Sequence, residues 1–147
     1  MATSGKAIFS EWVAGHLRFK RASTGITLFS INGSGRINHA LVTRVDIDAQ
    51  NGTLTAANVR TGFIVHTTVT GAGTITCPTG VALEAEFPDM TVGDCVEMYY
   101  LNDGTQTATL TGAAGTTALS AQTIATLQGR TFVFRKTATD AFDVFGR

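Results

Sequence analysis

Chemistry in this chain of 147 residues would have to come from few groups: three histidines, two cysteines and 11 acidic residues. His16, His39 and His66 are scattered, without the paired spacing of metal ligands or of a base set beside a nucleophile. Asp46 and Asp48, in "DID", share one face of a strand. A calcium ion could use such a pair, but a solvated strand face is the reading preferred here. Cys77 and Cys95 lack the CxxC spacing of a zinc site. "NGSGR" and "TGAGT" lack the glycine spacing of a dinucleotide fingerprint, and "SGKA" lacks the upstream glycine and the hydroxyl residue of a phosphate loop. All three read as turns. "NGS" and "NGT" match the glycosylation sequon but sit where hairpin turns are expected. No catalytic residue, cofactor or metal ligand is nominated, and the chain reads as a protein that is not an enzyme.

Composition sets the surface that these groups would sit on. The chain is 44% hydrophobic and 15% charged, and its 11 basic and 11 acidic residues cancel. Soluble domains usually carry about 25% charged residues. Two readings stay open: a surface partly meant for other protein, or a β protein kept in solution by Thr and Ser. Zero net charge argues against nucleic acid, because the only basic run, "RFKR" at Arg18–Arg21, is short. No run approaches the roughly 18 apolar residues of a membrane span, and the N-terminus lacks the features of a secretion signal. A cytoplasmic site of synthesis follows as the expectation. A reducing compartment then favours two free, buried thiols over a disulfide between Cys77 and Cys95.

The elements that must position these residues are mostly strands. "AIFSEWVA" puts Ile8, Phe9, Trp12 and Val13 at helical spacing, so a short helix is predicted over 7–14, ending at Gly15. "HLRFKR" and "ITLFSI", separated by the turn residues "ASTG", predict a hairpin. Val45 and Ile47 alternate with charged residues. "TGFIVHTTV", "TITC", "VEMYYL", "QTATLTG", "QTIATLQG", "RTFVFRKT" and "AFDVFG" predict further strands, and "NDG" at Asn102–Gly104 predicts a tight hairpin. In "PTGVALEAEFPDM", Thr79 can cap a short helix with Leu83 and Phe87 on one face, while Pro88 stops it. Such a helix would plug the open end of a sandwich, with Glu84 and Glu86 facing elsewhere. Tyr99 and Tyr100 must point to opposite faces, so one is core. The other, with Trp12, is placed to stack on a sugar ring or to pack at a subunit interface.

The fold class expected is all-β with one or two short helices: a β-sandwich or jelly-roll-like barrel preceded by a small hairpin-containing region. The expected division is residues 1–55, a docking and oligomerisation region with a short helix plus hairpin, and residues 56–147, the sandwich.

The segment from "TGFIVHTTV" to "DVF" resembles a domain recurring in virion proteins of tailed phages. The resemblance lies in Pro78–Thr79, in "ALEAEFP" at Ala82–Pro88 and in "VGD" at Val92–Asp94. It continues through Asn102–Leu110, the Gly/Ala-rich Gly112–Thr117 and "FVFRKT…DVF" at Phe132–Phe145. The lead-in "GHLRFKRASTGITLFSINGSGRI" is similar to that of phage capsid-accessory and fibre proteins. The resemblance implies a capsid decoration (cement) or head-fibre subunit, a virion protein assembled in the host cytoplasm. Its implied partners are the major capsid protein and copies of itself, with a homotrimer as the expected assembly. No cofactor, nucleic acid or membrane is expected. The alternative is a trimeric fibre or tail component that binds a host-surface glycan. Ile8, Phe9, Trp12 and Val13 are the candidate partner-binding residues.

Overall fold

The computed structural model describes residues 8–13, 16–21, 27–32 and 37–39 as backbone strands, and residues 43–120 and 122–147 with their side chains. The chain divides into two compact units, 1–42 and 43–147. This boundary lies ahead of the one expected at 55/56, because the strands at 45–47 and 52–53 pair with strands of the sandwich.

The first unit is a four-stranded antiparallel sheet, β1 (Ile8–Val13), β2 (His16–Arg21), β3 (Thr27–Asn32) and β4 (Ile37–His39), in that spatial order. The predicted pairing of "HLRFKR" with "ITLFSI" is there as β2–β3. The predicted helix over 7–14 is not. Those residues form β1, paired one for one with β2 from Ile8↔Arg21 to Val13↔His16. Ile, Phe, Trp and Val all favour strands, and a segment this short cannot hold a helix alone. Pairing with β2 therefore overrides the spacing.

The second unit is a sandwich of two mixed sheets. Its elements are β5 (Val45–Ile47), β6 (Gly52–Thr53), α1 (Ala56–Thr61), β7 (Phe63–His66), β8 (Gly73–Thr76), α2 (Gly80–Glu86), β9 (Cys95–Asn102) and β10 (Ala108–Thr111). There follow β11 (Thr116–Ala118), β12 (Gln122–Ile124), β13 (Gln128–Ala138) and β14 (Ala141–Gly146). One sheet has the order β11-β14-β13-β9-β7-β5 and the other β12-β10-β8-β6. From β5 to β13 successive strands alternate between the sheets, so the chain winds as a coil. Strands β5, β7 and β9 are mutually parallel, as are β6, β8 and β10. Parallel neighbours need a crossover, and here it is the opposite strand plus α1 or α2.

This winding overturns one expectation. Asn102–Gly104 is no hairpin: β9 and β10 belong to different sheets, and the turn is a corner between them. Asn102 is fully buried and ties the corner. Its Nδ2 donates to the carbonyls of Gln106 (2.7 Å), Ile124 (3.1 Å) and Ala125 (3.2 Å), and its Oδ1 accepts from Gly104 N–H (3.1 Å).

The two helices close the coil. Thr55 caps α1 in a reciprocal capping box with Asn58, and Gly62 ends it at φ 77°. Thr79 caps α2 by accepting from Ala82 N–H, Leu83 is fully buried, and Phe87 packs against the core as its C-cap. Both sheets face one core: Ile75, Leu110 and Ile124 from one, Ile64, Met98, Tyr100, Phe132, Phe134, Phe142 and Val144 from the other.

Candidate contact surfaces

Alternation decides what each sheet shows to its surroundings. In β9, Met98, Tyr100 and Asn102 are buried while Cys95, Glu97 and Tyr99 are exposed. The pairing carries this across the six-stranded sheet: Phe63 and Thr131 flank Tyr99, Val65 flanks Leu101, and Val133 lies between Glu97 and Phe145. The outer face of this sheet therefore carries an apolar and aromatic patch in which Tyr99 is exposed, Phe63, Leu101 and Phe145 are half-buried, and Val65 and Val133 are buried. Two exposed ion pairs border it, Arg147–Glu97 and Arg135–Asp143, both at 2.8 Å.

Tyr99 is the most accessible aromatic of the patch, 43% exposed. Its ring lies down across the sheet over Gly129, where an added Cβ would come within 1.8 Å of the phenol oxygen. Phe63 stands beside it with ring centroids 5.9 Å apart and planes tilted by 36°. A glycine on the neighbouring strand thus lets the tyrosine lie flat.

The four-stranded sheet shows a different chemistry. Its outward positions are Thr123, Thr109 and Thr74 in one row and Thr111, Thr76 and Thr53 in the next. All are threonine. Their β-branched side chains suit a strand, and their hydroxyls meet water without charge.

Inside, each buried polar group is committed to structure. His66 is fully buried, with Nε2 2.6 Å from the Ala49 carbonyl and Nδ1 2.5 Å from the Tyr100 hydroxyl. A carbonyl only accepts, so Nε2 carries the proton and Tyr100 O–H donates to Nδ1. Burial pushes the Tyr100 phenol above its ordinary range. Lys136, also buried, pairs with Glu84 at 2.5 Å and donates to the Met90 carbonyl at 2.9 Å. Glu84 was expected to face away from the fold; instead it joins α2 to β13.

The other sequence candidates disperse. Asp46 pairs with Arg44, and Asp48 accepts from Thr67 Oγ1 at 2.6 Å. Among the described residues no cluster of three or more His, Cys, Asp or Glu could hold a metal. Cys77 is buried, and burial pushes its thiol up to about 12. Cys95 is free but exposed, against the expectation of two buried thiols, because it occupies an outward position at the start of β9. Among the described residues no helix is long and apolar enough to cross a membrane.

Ile8, Phe9, Trp12 and Val13 fall on β1, where only the backbone is described. Strand geometry puts Ile8 and Trp12 at one set of alternate positions and Phe9 and Val13 at the other, so the single stripe expected of a helix does not form. The side chains of His16, His39 and Trp12 lie outside the described residues. Sequence reasoning missed the Phe63–Tyr99 patch as a unit. The Tyr99–Tyr100 alternation signalled half of it, but the pairing of β7 with β9 does not show in local pattern.

Comparison with protein-family models, curated proteins and solved structures returns no match for this chain.

Proposed function

We propose that the protein is a non-catalytic virion subunit of a tailed phage, a capsid decoration protein that binds the outer shell through protein–protein contacts and stabilises it. Its partners on this reading are the major capsid protein and further copies of itself. The resemblance of residues 61–145 to phage virion domains is its starting point. The observation that carries it in three dimensions is the outer face of the six-stranded sheet. There an aromatic and aliphatic centre, Phe63, Tyr99, Leu101 and Phe145, is rimmed by ion pairs. Apolar centre and polar rim are the anatomy of a protein contact surface. Bound across subunit joints, such a face adds roughly 25 cal/mol per Å² of apolar area removed from water, before association costs. The joints of the shell then open only if these contacts break too.

Tyr99 supports a second reading, a fibre or tail component that binds a host glycan. A flat, accessible ring with a carboxylate and a guanidinium on the same face suits a pyranose. Copy number separates the two. Protein staining of purified virions should show this chain at a level comparable to the major shell protein if it decorates the shell. A few copies per particle would favour the fibre reading, and its absence from virions would overturn both.

A further inference from the structure

We infer that α2 and the loop behind it form an acid-released latch, closed onto β13 by the Glu84–Lys136 pair and able to open while the two sheets stay folded. The inference does not depend on the virion reading. Lys136 is the common anchor of residues 84–94. Its ammonium holds Glu84 Oε1 at 2.5 Å and the Met90 carbonyl at 2.9 Å. Its backbone N–H donates to the Asp94 carbonyl, and its own carbonyl accepts from Gly93 N–H. The second Glu84 oxygen accepts from Asp140 N–H in the β13–β14 turn. One carboxylate thus receives two donors from the sandwich, while Lys136 keeps only 9% of its side-chain surface exposed.

Protonating Glu84 turns one of those acceptors into a donor. An amide or acid has a single good acceptor oxygen, yet both Lys136 Nζ and Asp140 N–H point at the group. The nearly buried ammonium then has no countercharge, only the Met90 carbonyl and whatever share of the neutral acid's one acceptor Asp140 N–H leaves it, a costly state. Lifting α2 hydrates it. Besides this pair, α2 is two turns of helix whose Gly80 N–H donates to the Ala114 carbonyl, while Gly93 and Asp94 are exposed. Ala82, Leu83, Phe87 and Met90 are the apolar contacts that opening would expose to water.

Other titratable groups near the latch act in the same sense or are separable. The hydrogen bond from Lys136 is the main cause that holds Glu84 below the ordinary carboxylate range, against burial and with help from Asp140 N–H. A lowered folded value means that the contribution is complete above the unfolded value and is lost as pH falls through the folded one. Asp94 is held low by the Thr91 N–H and hydroxyl, so the loop's own turn also weakens in acid. Asp140 contributes its backbone. Glu86 pairs with Arg60 of α1 at 2.7 Å, a contact that a substitution at Glu84 leaves in place.

Glu84→Gln at neutral pH isolates the latch from the other carboxylates. Hydrogen exchange on the full chain, read by mass spectrometry and corrected for intrinsic pH dependence, should show peptides from 80–93 opening at least tenfold faster at pH 3 than at pH 7. Peptides from β9 and β13 should stay protected. Glu84→Gln should open 80–93 to a similar degree at pH 7. The double variant Glu84→Leu/Lys136→Met, which replaces the pair by apolar contact, should keep the segment closed at both pH values. Equal protection of 80–93 and β13 in wild type at both pH values, loss of protection in all peptides together, or a Glu84→Gln protein that exchanges like wild type at pH 7 would each overturn the latch.

Discussion

The two outer faces of the sandwich lie on opposite sides of one core and differ in kind. The four-stranded sheet presents threonine at Thr53, Thr74, Thr76, Thr109, Thr111 and Thr123. The six-stranded sheet presents Tyr99 with half-buried Phe63, Leu101 and Phe145, over buried Val65 and Val133, beside the Arg147–Glu97 and Arg135–Asp143 pairs. A sheet face that meets only water needs alternate polar residues and nothing more. The threonine face meets that requirement in full, and the other does not. The low overall charge of the chain is thus not spread evenly. One face fits hydroxyl solvation, and the other is the face assigned to protein contact in the function proposed above.

The sharpest way to break this contrast is to place a charge at equivalent positions of the two faces. Val133 is 5% exposed although it points outward, so Val133→Asp sets a carboxylate among Glu97, Phe145 and their neighbours. A cost of about 2–4 kcal/mol in chemical denaturation is expected from burying an unpartnered polar group beside a like charge. Thr109→Asp on the opposite face should stay within about 1 kcal/mol. Equal costs would mean that the two faces are solvated alike.

Tyr99 and Tyr100 carry the same comparison into one strand. Tyr100→Phe removes the hydroxyl that satisfies His66 Nδ1 and should cost about 1–3 kcal/mol, because a buried acceptor is left alone. Tyr99→Phe should cost no more than about 0.5 kcal/mol. Thermal melts of the two variants give the order directly, and a reversed order would break the assignment of faces.

How much of this was legible in the sequence depends on the range of the signal. Local signals were read correctly where a side chain acts on its own neighbourhood: the Thr79 cap, Leu83 against the core, the stop at Pro88 and the Tyr99–Tyr100 split. Failures came where a distant partner decides. The spacing of Ile8, Phe9, Trp12 and Val13 is helical, yet the neighbouring strand turns it into β1. "NDG" has the residues of a tight turn, but Asn102 uses its side chain to bind Ile124 and Ala125, and Asp103 N–H bonds to the His66 carbonyl. The chain therefore crosses to the other sheet. Helix α1 in "TAANVRTG" was not anticipated, because it is short and its capping box uses Asn58 in place of the usual Glu. The aromatic face depends on β7 lying beside β9, which no periodicity within either strand contains.

A smaller effect tests why Tyr99 lies flat. Gly129→Ala puts a Cβ where the phenol now rests, and the far end of a flexible side chain can move away. Stability should change by less than about 1 kcal/mol. The tyrosine should lift from the sheet, however, and any glycan or shell binding that uses the flat ring should weaken more than stability does. Unchanged binding in Gly129→Ala, measured beside Tyr99→Ala, would remove Tyr99 from the contact.

The last comparison costs almost no stability and uses the two cysteines as reporters of the two environments. Cys95 points outward at the edge of the aromatic face, and Cys77 is sealed in the core with its thiol pushed up to about 12. The thiolate is the reacting form. Below that value folded Cys77 stays protonated and shielded, so near pH 8 a maleimide should label Cys95 alone in the free protein. Cys77 should react only as fast as the sandwich unfolds. If the six-stranded face is the one that docks, bound protein should label at Cys95 at least tenfold more slowly than free protein, while Cys77 stays silent in both. A Thr123→Cys reporter in a Cys95→Ser background should meanwhile label at the same rate, free or bound, because the threonine face stays in water. Protection of the Thr123→Cys reporter with Cys95 left reactive would invert the assignment and make the hydroxyl face the contact surface.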